Sequence, residues 1–293
     1  LDEVKSWLWR SVIRPLQTNK LRRVPQGILL AGPPGTGKTY LAKALAHDAG
    51  VNYREVDFGR LLGGIVGTSE KNLENVLRVL EASSPCIVFI DEIDQALRRG
   101  TDGLNSVQDN IFGRMLRWLS EPSHRGRIVV LAATNRPDLL DAALKRAGRF
   151  DAKIPILPPD LDGRKDGLLK LLRRYSPAST GCEPATADIA ASTDGWTMAE
   201  LELVVVKAVE LADDDEREDV TATDLTDARG LVSPSTAETQ YMTDLAIMEC
   251  TDKSLLPAGY RTKLDNRSAL EDSVREQEPR FRRARRAFSE EAA

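Results

Sequence analysis

The amino-acid sequence predicts an α/β fold: a doubly wound parallel sheet with helices on both faces, followed by a smaller domain of helices alone. Three observations carry this reading. Short apolar runs alternate with amphipathic segments through the first half of the chain, as strands and helices do in βαβ units. A glycine-rich loop, Gly32–Thr39, joins one such run to a helical segment. Beyond Pro155, Pro158 and Pro159 the strong patterns are all helical.

In chain order, residues 1–17 read as a helix, and Pro25 breaks the chain ahead of a strand at Gly27–Ala31. The glycine loop opens a helix over about 38–49, and a strand follows at 51–56. After the glycine-rich stretch 59–67, Ser69 and Glu70 look like a helix start, and Pro85 stops that helix beyond about Ala82. Cys86–Ile90 is an uninterrupted apolar run ending in acid, the pattern of a strand buried on both faces. Gly100–Gly103 reads as a mobile loop, 106–119 as a helix, 128–133 as another buried strand and 153–156 as a short last one. Helices follow at about 162–174, 185–191, 197–212 and 221–229, with the acidic stretch 213–219 a solvated turn. From Ser233 the pattern weakens toward a mixed-charge tail. The expected organisation is an α/β domain over residues 1–158, a helical lid over 159–232 and a helical or partly disordered extension over 233–293.

Bulk properties narrow the class. The 293 residues are 41% apolar and 29% charged, a soluble globular composition, and no apolar run reaches the roughly 18 residues that cross a bilayer. The net charge of −4 disfavours duplex nucleic acid, whose binding draws on many Lys and Arg contacts to phosphate. Cys86, Cys182 and Cys250 are odd in number and lack metal spacing, so reduced thiols in a cytoplasmic protein are expected. The chain opens on Leu1 without a signal pattern, and a missing native N-terminus is expected.

Gly32, Pro33, Pro34, Gly35, Thr36, Gly37, Lys38 and Thr39 match G-x-x-x-x-G-K-[ST] between a predicted strand and helix. In that setting backbone N–H groups wrap phosphate oxygens at a helix N-terminus whose dipole favours anions. The expected ligands are ATP and Mg²⁺: Lys38 on the β- and γ-phosphates, Thr39 on the metal, and Tyr40 next in the binding set. The strand Cys86–Ile90 then delivers Asp91 and Glu92 at its end, where ligands bind in open α/β sheets. Asp91 suits the surroundings of Mg²⁺, and Glu92 suits positioning and polarising an attacking water. Asp94 reads as a cap of the next helix.

With these motifs in hand, the chain resembles the core AAA clade of AAA+ ATPases, which includes proteasomal ATPases, membrane-bound AAA proteases and protein segregases. The resemblance rests on Gly32–Thr39, on Ile90-Asp91-Glu92-Ile93-Asp94, on 132–137 (Ala-Ala-Thr-Asn-Arg-Pro) and on 144–151 (Leu-Lys-Arg-Ala-Gly-Arg-Phe-Asp). It extends to the lid segment Gly195-Trp196-Thr197-Met198-Ala199-Glu200-Leu201, so residues 1–232 are covered and 233–293 are not. The resemblance implies that Asn135 is a sensor amide near the γ-phosphate; a turn Asn ahead of Pro137 is the alternative. It implies that Arg146 and Arg149 are arginine fingers reaching a neighbouring subunit. Lys145 and Arg146 also read as the cationic end of a helix capped by Gly148, and both roles can hold together. Position 199 is Ala, so no second-sensor arginine is assigned.

One departure concerns the loop before the helix at Ser69. Protein-threading members carry an aromatic residue there, whereas this chain has Ile65 followed by Val66, which offers less contact area. The tail residues Arg280, Arg282, Arg283, Arg285 and Arg286, interleaved with Phe281 and Phe288, read as a solvated or partner-facing helix rather than a nucleic-acid or membrane arm.

The resemblance thus implies an ATP-hydrolysing, mechanochemical ring, a hexamer of this chain, that remodels, unfolds or disassembles a protein substrate. A nucleotide-driven ring serving a larger protein assembly with little threading is the alternative, and a nucleic-acid motor is disfavoured. No H-E-x-x-H occurs in the sequence, so any proteolysis would belong to a partner.

Overall fold

The computed structural model describes residues 1–58, 68–96, 106–177, 179 and 182–291. Five parallel strands, β1 (Gly27–Ala31), β2 (Asn52–Val56), β3 (Cys86–Ile90), β4 (Ile128–Thr134) and β5 (Phe150–Pro155), form one sheet in the order β2-β3-β4-β1-β5. The predicted α/β class is borne out. The last strand starts three residues earlier than its apolar run, because Phe150 and Ala152 pair with Gly27 and Ile28 despite the single Asp151 between them.

Strand period sorts the core into two layers. Ile28, Leu30, Ile87, Phe89, Val129, Leu131 and Ala133 point to one face, against α1 (Asp2–Leu8), the π-helical turn Trp9–Ile13, and α3 (Lys38–Ala49) beyond the short α2 (Arg14–Gln17). Leu29, Val88, Ile90, Val130 and Ala132 point to the other, against α4 (Thr68–Ala82) and α6 (Ser106–Leu119), with the single turn α5 (Ile93–Ala96) between them. Because both faces are covered, β1, β3 and β4 are buried along their whole length.

In the stretch expected as the lid, α7 (Leu161–Tyr175), α8 (Glu183–Ser192), α9 (Met198–Asp214) and α10 (Ala222–Leu231) pack around Leu168, Leu172, Leu201, Val204, Val205 and Leu225. Two capping boxes start its helices, Thr197 with Glu200 and Thr221 with Asp224, each satisfying otherwise orphaned backbone donors.

Residues 233–291 form three α-helices, α11 (Thr236–Met248), α12 (Ala258–Asp265) and α13 (Arg267–Glu291), with a 3-10 turn at Lys253–Leu255. Their pattern is weak in the sequence because α11 is buried almost all round, Thr239 and Tyr241–Ile247 included, so it shows no apolar stripe. Ala246, Ile247, Leu256, Leu264 and Leu270 pack with Ala31 and Leu157 of the α/β domain. Asp244, buried in α11, accepts from Gln240, from Lys263 of α12 and from Ser273 of α13, which ties the three helices together. Phe281 stacks on Tyr241 at 4.6 Å; the side chains of Arg280, Arg282, Arg283, Arg285, Arg286 and Phe288 lie outside the described residues.

Two local expectations are corrected. No helix ends at Lys145 and Arg146: residues 141–149 are successive turns held by their own polar groups, with Asp141 accepting from the Ala143 N–H and Asp151 from the Gly148 N–H. Gly148 does take the left-handed conformation, at φ +85°. Asp94 lies inside α5 rather than capping it, and its buried carboxylate accepts from Thr134 at 2.6 Å, joining the ends of β3 and β4. The loop with Ile65 and Val66, and Gly100–Gly103, lie outside the described residues.

Candidate active site

The chain leaves β1 toward β2 at one edge and leaves β4 toward β5 on the opposite side, so β1 and β4, which are neighbours, form the switch point where ligands bind in open α/β sheets. The phosphate loop follows β1, and Asn135 follows β4. Across this point Lys38 Nζ donates to Asn135 Oδ1 at 2.7 Å.

Glycine sets the loop's shape. Gly35 and Gly37 adopt φ +74° and +91°, a region that L side chains rarely enter, and a Cβ at Gly32 would lie 1.9 Å from the carbonyl oxygen of Ile156. Gly37 is the N-cap of α3 and offers no side-chain cap, so the first-turn N–H groups are left for an anion, reinforced by the helix dipole. Thr36 donates to the Pro33 carbonyl at 2.9 Å and braces the turn.

Lys38 uses all three ammonium hydrogens, on the carbonyls of Gly32 (2.8 Å) and Pro33 (2.7 Å) and on Asn135. It is only 8% exposed, and burial lowers its pKa from 10.5 to about 8 against the opposing pull of Asp91, Asp94 and Glu92. A phosphate group would restore the favour that burial removes. Thr39 Oγ1 donates to Asp91 Oδ2 at 3.2 Å, placing a hydroxyl and a carboxylate side by side. Hard oxygens in that number are what Mg²⁺ takes from protein when phosphates and waters complete its shell.

Glu92 departs from ordinary backbone geometry. Its φ of +46° is left-handed, a conformation that costs a non-glycine residue about 1–2 kcal/mol. The Asp91 carboxylate supports it by accepting the Glu92 N–H at 2.9 Å. The Glu92 side chain is exposed and makes no hydrogen bond or ion pair among the described residues. Tyr40 is 80% exposed on the outer side of α3.

The arginines separate. Arg149 is held within its own chain, donating to Ser120 Oγ (3.0 Å) and to the Ala143 carbonyl (2.5 Å). Arg146 is exposed and has no side-chain partner among the described residues. Both lie on the turns between β4 and β5, away from Lys38 of the same chain in sequence and element.

Two contacts at the site were not legible in the sequence. The Ala199 N–H, in the first turn of α9, donates to the Gly35 carbonyl at 3.1 Å, so the lid touches the phosphate loop. Thr134 Oγ1 donates to Asp94 and accepts from the Arg136 N–H at 2.9 Å, fixing the turn that presents Asn135. A hydroxyl ending an apolar strand was the available signal for the second; nothing local signals the first. A cavity of about 500 Å³, lined by Leu16, Gln17, Asn19, Val51, Pro85 and Arg127 among others, opens at the N-terminal ends of the strands, the opposite end of the sheet from these groups. Among the described residues there is no cluster of His, Cys, Asp and Glu fit to hold a metal by itself, and no helix long and apolar enough to cross a membrane.

Residues 28–157, which carry this arrangement, match the family described as ATPase family associated with various cellular activities (AAA). The chain is 38% identical over 218 residues to the cell division cycle protein 48 homolog of Archaeoglobus fulgidus, covering 72% of this chain and 29% of that one. It is 35% identical over 229 residues to the proteasome-activating nucleotidase of Methanothermobacter thermautotrophicus (76% and 55%), and 38% identical over 219 residues to the ATP-dependent zinc metalloprotease FtsH of Thermotoga maritima (73% and 35%). The chain spans between about a quarter and about half the length of the curated relatives it matches. A phosphate loop, a paired acid at the end of β3 and an amide at the end of β4 thus meet in one segment, and residues 28–157 form a domain of the AAA family.

Proposed function

We propose that this chain binds Mg-ATP and hydrolyses it as a subunit of a hexameric ring that remodels protein substrates. The observation that carries the reading is the convergence of Lys38, Asn135, Thr39 and Asp91 at the switch point of the sheet. The phosphate loop and Lys38 hold the triphosphate, with Thr39 and Asp91 as the protein groups for Mg²⁺, whose bound charge would neutralise phosphate oxygens. Glu92, free of partners among the described residues, orients and polarises the attacking water, and Asn135 orients that water from the far side. Arg146 stabilises the charge developing on a neighbour's phosphate, whereas Arg149 shapes the turn that presents it. Relatives named as a proteasome-activating nucleotidase and an ATP-dependent zinc metalloprotease support a protein substrate over nucleic acid, as does the acidic balance of the chain.

Mixing subunits tests the shared site. Arginine fingers are worth about 10³–10⁵ in rate, so Arg146→Ala should keep ATP affinity and nearly abolish turnover. Adding Lys38→Ala subunits should restore part of it, because some interfaces then join an intact pocket to an intact arginine. Co-assembly without any rescue would remove the trans role from Arg146.

A further inference from the structure

Resting on that reading of Arg146, we infer that Glu249 is a positioning residue for the reaction: from the end of α11 it holds the turn that carries the arginine. Glu249 is the C-cap of α11, where the helix dipole disfavours a carboxylate. Two cations offset this. Glu249 Oε1 accepts from Lys145 Nζ at 2.5 Å and Oε2 from Lys153 Nζ of β5 at 3.1 Å, with all three side chains about one-fifth exposed. Lys145 precedes Arg146 directly, and its ammonium also caps the Pro137 carbonyl at 3.2 Å.

The turns over 141–149 have no helix to stiffen them. The bonds of Asp141 with Ala143, of Asp151 with Gly148 and of Arg149 with Ala143 are local, within 141–151, whereas Asp151 also accepts from the Gln26 N–H at 3.4 Å and pairs with Arg125 at 3.7 Å. Arg149 to Ser120 ties one end to the segment after α6, and Lys145 to Glu249 ties the middle to α11. The same helix also holds the turn that follows β4, since the guanidinium of Arg136, one residue after Asn135, lies 5.3 Å from the Tyr241 ring centroid. The extension therefore clamps the stretch between the amide and the arginine at two points. Displacing a reacting group by about 1 Å can cost on the order of 10²-fold in rate, so a single ion pair beside Arg146 is enough to matter.

The test uses the full chain and reads ATP affinity and turnover separately. Glu249→Ala should leave affinity unchanged and lower turnover by roughly 10- to 100-fold. Lys145→Met should also lower turnover with affinity kept, and the double variant should lose less than the sum of the two, because both break the Lys145–Glu249 contact. Glu249→Gln, which keeps the length and one acceptor, should fall between. Mixed rings identify the defect: Glu249→Ala subunits should be rescued by Lys38→Ala, which supplies a well-held arginine, and not by Arg146→Ala. Additive losses in the double variant, or no rescue by Lys38→Ala where Arg146→Ala is rescued, would overturn the inference while leaving the shared site intact. Failure of Arg146→Ala itself to be rescued would instead remove the premise and both claims with it. If Glu249→Ala loses helical signal through unfolding of the extension, Lys145→Met, with the extension in place, decides the matter.

Discussion

Raising the pH from 7 to 9 should weaken nucleotide binding about tenfold through one group. Lys38 is nearly enclosed, its three acceptors are neutral carbonyl and amide oxygens, and burial brings it down to about 8. A bound phosphate favours the ammonium, so binding takes up a proton wherever the free pocket has lost one. The apparent Kd then scales as one plus ten to the power of pH minus pKa: about twofold weaker at pH 8 and about tenfold at pH 9 than at pH 7, or about 1.4 kcal/mol. The same shift fixes a stability trend. Between pH 8 and 10.5 the unfolded chain binds more protons than the folded one, so without nucleotide the fold should gain stability as pH rises through that window. Titration calorimetry with a non-hydrolysable ATP analogue, in buffers of different ionisation enthalpy, measures affinity and proton uptake together. Lys38→Arg, whose guanidinium stays charged, should bind without the pH step. A flat Kd to pH 9, with no proton uptake, would refute the argument from burial.

Other predictions follow from single contacts. Gly35→Ala should cost about 1–2 kcal/mol from its left-handed backbone alone, and its Cβ would meet that of Ala199 at 2.6 Å, so thermal melting should fall together with ATP affinity; an unchanged melt would mean that the lid does not rest on the loop. Thr134→Val leaves the buried Asp94 carboxylate without its 2.6 Å donor and should lower stability by about 1–3 kcal/mol in denaturant titration, with no loss counting against the β3–β4 link. Ile65→Ser should leave basal ATP turnover near that of the parent and remove most stimulation by a protein substrate, since a buried aliphatic side chain grips with roughly 1.5–3 kcal/mol; full remodelling by this variant would exclude threading through that loop.

What was legible in the sequence follows from where the information is local. β1 and β3 were read to the residue because strands covered on both faces need unbroken apolar runs bounded by glycine, proline or acid. The phosphate loop was legible because only glycine serves its left-handed positions and only a helix N-terminus serves its anion. The segment 141–149 misled because Lys145, Arg146 and Gly148 imitate a helix end, whereas the carboxylates of Asp141 and Asp151 hold it as turns. Helix α11 was hidden by its burial on all sides. Contacts between distant segments, such as Ala199 with Gly35 or Glu249 with Lys145, have no local signature at all; they arise only when the lid and the extension pack onto the α/β domain.

The account turns most directly on Glu92. Its left-handed backbone presents a carboxylate beside Asp91 but leaves it outside the contacts of Lys38 and Thr39. Glu92→Gln preserves shape and removes the base, so ATP affinity should match the parent chain while steady-state turnover falls by roughly 10²–10⁴-fold. Affinity and turnover measured on the same preparation decide it. Retained affinity with lost turnover is the predicted result; turnover equal to that of the parent would contradict the assignment of this site as the place where ATP is hydrolysed.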